Sequence, residues 1–78
     1  MADPRIGRSR IPELLKLKRK EQVDLAIFLE VSEPYLSQVI SGKRKLSVTK
    51  MKKCADYFGV HMEDLNDWII PEGYDKRR

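Results

Sequence analysis

Apolar positions recur at helical spacing in five places along the chain, each bounded by a capping residue or a breaker. Leu14, Leu15 and Leu17 follow Pro12, which suits a first helical turn, and Glu13, which suits the positive end of the helix dipole. They predict a first helix over 12–20 with Lys16, Lys18, Arg19 and Lys20 outside. Leu25, Ala26 and Leu29 predict a second short helix over 21–29, in which Val23, Ile27 and Phe28 add apolar surface and the small Ala26 lets another helix come close. Ser32 stands where its hydroxyl accepts from the open amides of a third helix starting at Glu33, with Pro34 tolerated in its first turn. Leu36, Val39 and Ile40 form the inner side of that helix, and Ser41 and Gly42 end it. Ser47 caps a fourth helix over 48–58, whose stripe of Met51, Cys54, Ala55 and Phe58 is followed by Gly59, suited to a left-handed backbone. A fifth helix over 62–68 brings Met62, Leu65, Trp68 and Ile69 to one side before Pro71 and Gly73 break the pattern. Residues 1–11, with Pro4, Gly7 and Ser9 and little to bury, predict a flexible basic arm, and 71–78 a tail. The expectation is an all-α domain of five helices over 12–70.

Composition narrows the chemistry. Seventy-eight residues make one small domain, with no room for a catalytic domain beside a binding one. One cysteine, Cys54, forms no internal disulfide or cysteine-rich zinc site; it reads as a small core residue and points to a reducing, cytoplasmic setting. His61, the one histidine, reads as a polar cap at the start of the fifth helix. With no second histidine beside it and no paired cysteine, no metal or other cofactor is expected. The longest apolar run, Leu25 to Leu29, is far below the roughly 20 residues that cross a bilayer, so no membrane role is expected. No Ser-His-Asp, metal-ligand or phosphate-loop spacing occurs, which argues against an enzyme.

The net charge of +4 conceals blocks of opposite sign. Residues 1–20 carry seven basic and two acidic side chains, 21–42 four acidic and no basic ones, 43–53 six basic and no acidic ones, and 54–75 six acidic and no basic ones, before Lys76, Arg77 and Arg78. Exposed charges act over about 8–10 Å at physiological salt, so blocks of this size make separate surface regions when the fold holds them apart. The basic excess favours a polyanionic partner.

Two short helices joined by a turn of about three residues, with Ala26 in the first and apolar Val31 in the turn, meet the packing needs of a helix-turn-helix. The runs Gln22-Val-Asp-Leu-Ala26, Leu29-Glu-Val-Ser32, Tyr35-Leu-Ser-Gln-Val-Ile-Ser-Gly-Lys43 and Phe58-Gly-Val-His-Met-Glu-Asp-Leu65 resemble the Cro and lambda-repressor type of helix-turn-helix regulator, the xenobiotic-response-element family, from about Ile11 to Leu65. Glu30 stands where that family commonly carries Gly in a left-handed conformation.

The resemblance implies a sequence-specific DNA-binding transcriptional regulator of phage or bacterial repressor type, whose third helix enters the major groove of a double-stranded operator. By it Glu33, Pro34, Tyr35, Ser37 and Gln38 contact bases: Gln38 bridges adenine N6 and N7, Glu33 accepts from cytosine N4, and Pro34 lies near a thymine methyl or the backbone. Gln22 and Ser32 donate to phosphates, and Arg8, Arg10, Lys43, Arg44 and Lys45 neutralise them. Because 21–42 has no Lys or Arg, those flanking residues must supply the attraction. Trp68, Ile69 and Ile70 are either a final core plug or an exposed patch that joins two copies in a homodimer. The rival reading keeps the fold but gives its acidic surfaces a basic protein partner, as in an antitoxin or antirepressor.

Overall fold

The computed structural model describes residues 3–74. Four α-helices, α1 (Ile11–Leu17), α2 (Gln22–Leu29), α3 (Glu33–Ser41) and α4 (Val48–Phe58), are followed by a 3₁₀ turn, Met62–Leu65. Two strands, β1 (Arg5–Ser9) and β2 (Asn66–Ile69), pair antiparallel. Caps set the three main helices. Ser32 Oγ accepts from the Tyr35 amide at 3.1 Å and Ser47 Oγ from the Lys50 amide at 3.2 Å, each satisfying one open donor of its helix. Gly42 (φ 89°) and Gly59 (φ 70°) end α3 and α4 in the left-handed region.

Glu30 does the same for α2 at φ 60°, with its amide on the Ile27 carbonyl (3.1 Å) and the Val31 amide on Ala26 (3.0 Å). A side chain in this region is strained relative to Gly, and the exposed ion pair of Glu30 with Lys53 (3.7 Å) offsets little of it. Glu30→Gly is therefore expected to raise stability by about 1 kcal/mol in a urea melt; a loss would show that Glu30 is held by more than its backbone.

One core collects a side from every helix. Ile11, Leu14 and Leu15 of α1, Leu25, Ala26 and Leu29 of α2, Leu36 of α3, Cys54, Ala55 and Phe58 of α4 and Leu65 of the 3₁₀ turn are buried together. Burial pushes the Cys54 thiol up to about 12, which makes it a packing residue rather than a nucleophile at neutral pH. Lys50 on α4 reaches across to donate to the Leu29 carbonyl at 2.7 Å, satisfying the open end of α2.

The expected five-helix, all-α architecture is corrected at both ends of the chain. The helix expected over 62–68 stops at Leu65, and Asn66–Ile69 is a strand. The expected arm over 1–11 contains its partner: Arg5 lies opposite Ile69, Ile6 opposite Trp68 and Ser9 opposite Asn66. The one residue more on β1 between the last two pairs makes a bulge. Gly7 sits in it because a Cβ there would stand 3.0 Å from the Asp67 carbonyl oxygen. Ser9 is buried, its Oγ accepts from the Ile11 amide, and the Arg10 amide bonds the Leu65 carbonyl, so the sheet runs straight into α1.

Helix α1 ends at Leu17 rather than continuing to Lys20, because Arg19 turns left-handed (φ 56°) and the Lys20 amide returns to the Leu15 carbonyl. Leu17, expected inside, is 74 % exposed, and Ile11 takes its place in the core. The expected tail lies partly outside the described residues, as do Lys76, Arg77 and Arg78. Among the described residues no helix is long and apolar enough to cross a membrane.

Candidate nucleic-acid interface

Helix α3 is held from below and open above. Leu36 is its one buried residue, Tyr35, Val39 and Ile40 are half-buried, and Glu33, Pro34, Ser37 and Gln38 are exposed. The residues predicted to meet bases thus share an accessible side, apart from Tyr35, whose hydroxyl is committed to the Lys45 carbonyl at 2.9 Å. Gln22, at the start of α2, donates through Nε2 to Ser37 Oγ at 2.7 Å. That bond ties the two helices together at their outer side and fixes both polar groups; the pairing has no local signal in the sequence, since the partners are 15 residues apart along the chain.

The chain leaving α3 doubles back on it. Gly42 turns it, and the amides of Lys43 and Arg44 both bond the Gln38 carbonyl, at 2.8 and 3.2 Å. This returns the Arg44 side chain to α3: its Nε donates to Gln38 Oε1 at 3.0 Å and its guanidinium lies 6.0 Å from the centre of the Tyr35 ring. Gln38, expected to bridge adenine N6 and N7, is thus one end of a side-chain pair. A Gly closing a helix just before a basic run was the available signal, because a left-handed turn directs the following residues back over the last turn.

The basic groups divide into two sets. Lys43, Arg44 and Lys45 are exposed, and among the described residues none of them pairs with a carboxylate. Arg8 and Arg10, expected to act with them, are instead engaged by carboxylates of α1 and β2: Arg8 bonds Glu13 and lies 3.5 Å from Asp67, and Arg10 lies 3.9 Å from the Asp67 carboxylate. The hydrogen bond from Arg8 holds the Glu13 carboxyl below its ordinary value. Strand β1 nonetheless borders the basic loop, since Ile6 and Ser9 share a small cleft with Val39, Lys45 and Leu46. Ser32 is exposed and already caps α3.

Trp68, Ile69 and Ile70 are not a core plug. They are 45, 50 and 41 % exposed, and the Trp68 indole N–H donates to the Glu63 carbonyl at 2.8 Å.

A family model described as Helix-turn-helix matches residues 13–65, from the third residue of α1 to the end of the 3₁₀ turn. No curated protein matches the chain. The matched family is one of DNA-binding regulatory domains rather than of enzymes. The packed α2–α3 pair, the Ser32 cap, the left-handed turn at Glu30 and this match, over well more than half of the chain, agree: the chain belongs to the Cro and lambda-repressor type of helix-turn-helix family, the xenobiotic-response-element regulators that bind DNA.

Proposed function

We propose that the protein is a sequence-specific transcriptional regulator of phage or bacterial repressor type, acting in the cytoplasm on a double-stranded operator by placing α3 in the major groove. The observation that carries this reading is the exposed side of α3, Glu33, Pro34, Ser37 and Gln38, standing beside cations with no carboxylate partner among the described residues. Glu33 and Ser37 reach base edges, Pro34 contacts a methyl or sugar, and Tyr35 supports them from behind. Lys43 and Lys45 neutralise phosphates at the rim, and Gln22 and Ser32 donate to them. Arg8 and Arg10 contribute only as far as phosphate displaces Asp67 and Glu13.

A homodimer through Trp68, Ile69 and Ile70 would set two recognition helices about 34 Å apart, giving a near-palindrome with half-sites about 10 base pairs from centre to centre. Selection of bound oligonucleotides from a random pool tests the reading directly, and a symmetric consensus is expected. With two phosphates neutralised per protomer, by Lys43 and Lys45, a dimer neutralises four, and affinity for that consensus should fall with salt at a log–log slope of about −4. A flat salt response, or no enriched sequence, would sink the reading.

A second reading, a protein partner in place of DNA as for an antitoxin or antirepressor, draws on the acidic block 21–42, with four acidic and no basic side chains, and on the apolar Leu17 and Ile27, which are 74 and 71 % exposed. Recovery of a stoichiometric protein partner with no retained affinity for DNA would favour it.

A further inference from the structure

We infer that Arg44 reads a base, and that the base is a guanine in the operator half-site. The inference rests on the reading of α3 as the groove-entering helix and adds to it a residue from outside that helix.

The argument is geometric. Gln38 lies one helical turn beyond Pro34 on the exposed side of α3, so whatever is fastened to its amide shares the side that faces the groove. Arg44 is fastened there, with Nε on Gln38 Oε1 at 3.0 Å and the guanidinium 6.0 Å from the Tyr35 ring centre. The loop behind it is itself fixed, because Tyr35 donates its hydroxyl to the Lys45 carbonyl and the Arg44 amide returns to the Gln38 carbonyl. Most of the rotamer freedom of a long arginine is thereby removed before any ligand arrives.

Holding Nε in this way leaves the two terminal nitrogens as a planar fork. That fork matches two acceptors on one edge, and in the major groove the base with two such acceptors is guanine, through O6 and N7. A phosphate contact needs only a mobile positive charge, which Lys43 and Lys45 already provide on either side. The pairing also changes the part played by Gln38. Its oxygen, the atom that would accept from adenine N6, already accepts from Arg44, so it orients the arginine instead of reading adenine by itself.

The test uses the full chain and the oligonucleotide consensus selected by it, with every half-site position varied in turn and affinities measured by fluorescence anisotropy. Wild type is expected to prefer guanine at one half-site position by about tenfold or more. Arg44→Ala should reduce that preference to about threefold or less while preferences elsewhere in the half-site stay as they were. Gln38→Ala should loosen the same position, and the double variant should go no further than Arg44→Ala. Arg44→Lys keeps the charge and the salt slope but not the anchored plane, so its preference at that position should also fall to about threefold or less. Thermal melts establish that each variant is folded; should Arg44→Ala not fold, Arg44→Lys decides the matter by itself.

A uniform weakening on all sequences by Arg44→Ala, with a shallower salt slope and full rescue by Arg44→Lys, would reduce Arg44 to a phosphate contact and overturn this inference alone. A wild-type chain with no preference for any sequence would overturn it together with the proposed function.

Discussion

Leu36→Ala is expected to lower stability by about 2–5 kcal/mol, whereas Gln38→Ala, two residues along the same helix, should leave the denaturant midpoint almost unmoved. Leu36 is fully buried and is the only buried residue of α3, so the helix is seated in the core by that one side chain and by the half-buried Val39 and Ile40 around it. Truncation removes the apolar contact and leaves a hole that the backbone closes poorly, because α3 is pinned at one end by the Ser32 cap and at the other by the turn at Gly42. A domain of this size has on the order of 5–10 kcal/mol in all, so the variant should melt more than about 10 °C lower and be partly unfolded near body temperature. Urea titrations of both variants at equal protein concentration check the contrast. Comparable losses would mean that the Gln38–Arg44 pair is structural, and a loss below about 1 kcal/mol for Leu36→Ala would mean that α3 is seated differently.

What could be read from the sequence depended on how far apart the interacting residues lie. Ser32 and Ser47 each satisfy an amide three residues on, and Gly42 and Gly59 each end the helix just before them, so the limits of α3 and α4 follow from local chemistry. The left-handed Glu30 was placed by resemblance alone, because nothing in a Glu favours that conformation. Leu17 shows how periodicity misleads: it continues the apolar spacing of α1, but the helix stops there and nothing covers it. The two strands had no local signal. Asn66 to Ile70 fits a helical stripe as readily as a strand, and Arg5–Ser9 becomes a strand only because β2, about 60 residues further along the chain, lies alongside it. The same holds for the site. The exposed side of α3 was legible from spacing, while the bonds that fix it, Gln22 to Ser37 and Arg44 to Gln38, required the chain to be folded.

Trp68→Ala is expected to leave the monomer folded and to weaken self-association by about thirtyfold or more, the usual cost of losing a tryptophan from the centre of an interface. Ile6 and Trp68 face one another across the two strands, and Ile69, Ile70 and Tyr74 follow on the same stretch of chain, so five large apolar side chains, each at least 41 % exposed, lie on the two-stranded sheet and just beyond it. In the monomer Trp68 is not among the buried core residues and stays 45 % exposed. A two-fold partner would bury it and, in the proposed function, would bring a second α3 to the next half-site. Loss of the dimer then removes the gain from binding two half-sites at once, and affinity for the full operator should fall by about a hundredfold or more while a single half-site is bound as before. Sedimentation equilibrium reads the first effect and anisotropy the second. Ile69→Asp provides an independent check, because Ile69 is 50 % exposed and a carboxylate there costs a solvated monomer little but opposes burial against a second copy. A wild-type chain that stays monomeric at about 100 μM, weaker than micromolar association by two decades, would remove the patch as a dimer interface, and the operator would then be expected to lack two-fold symmetry.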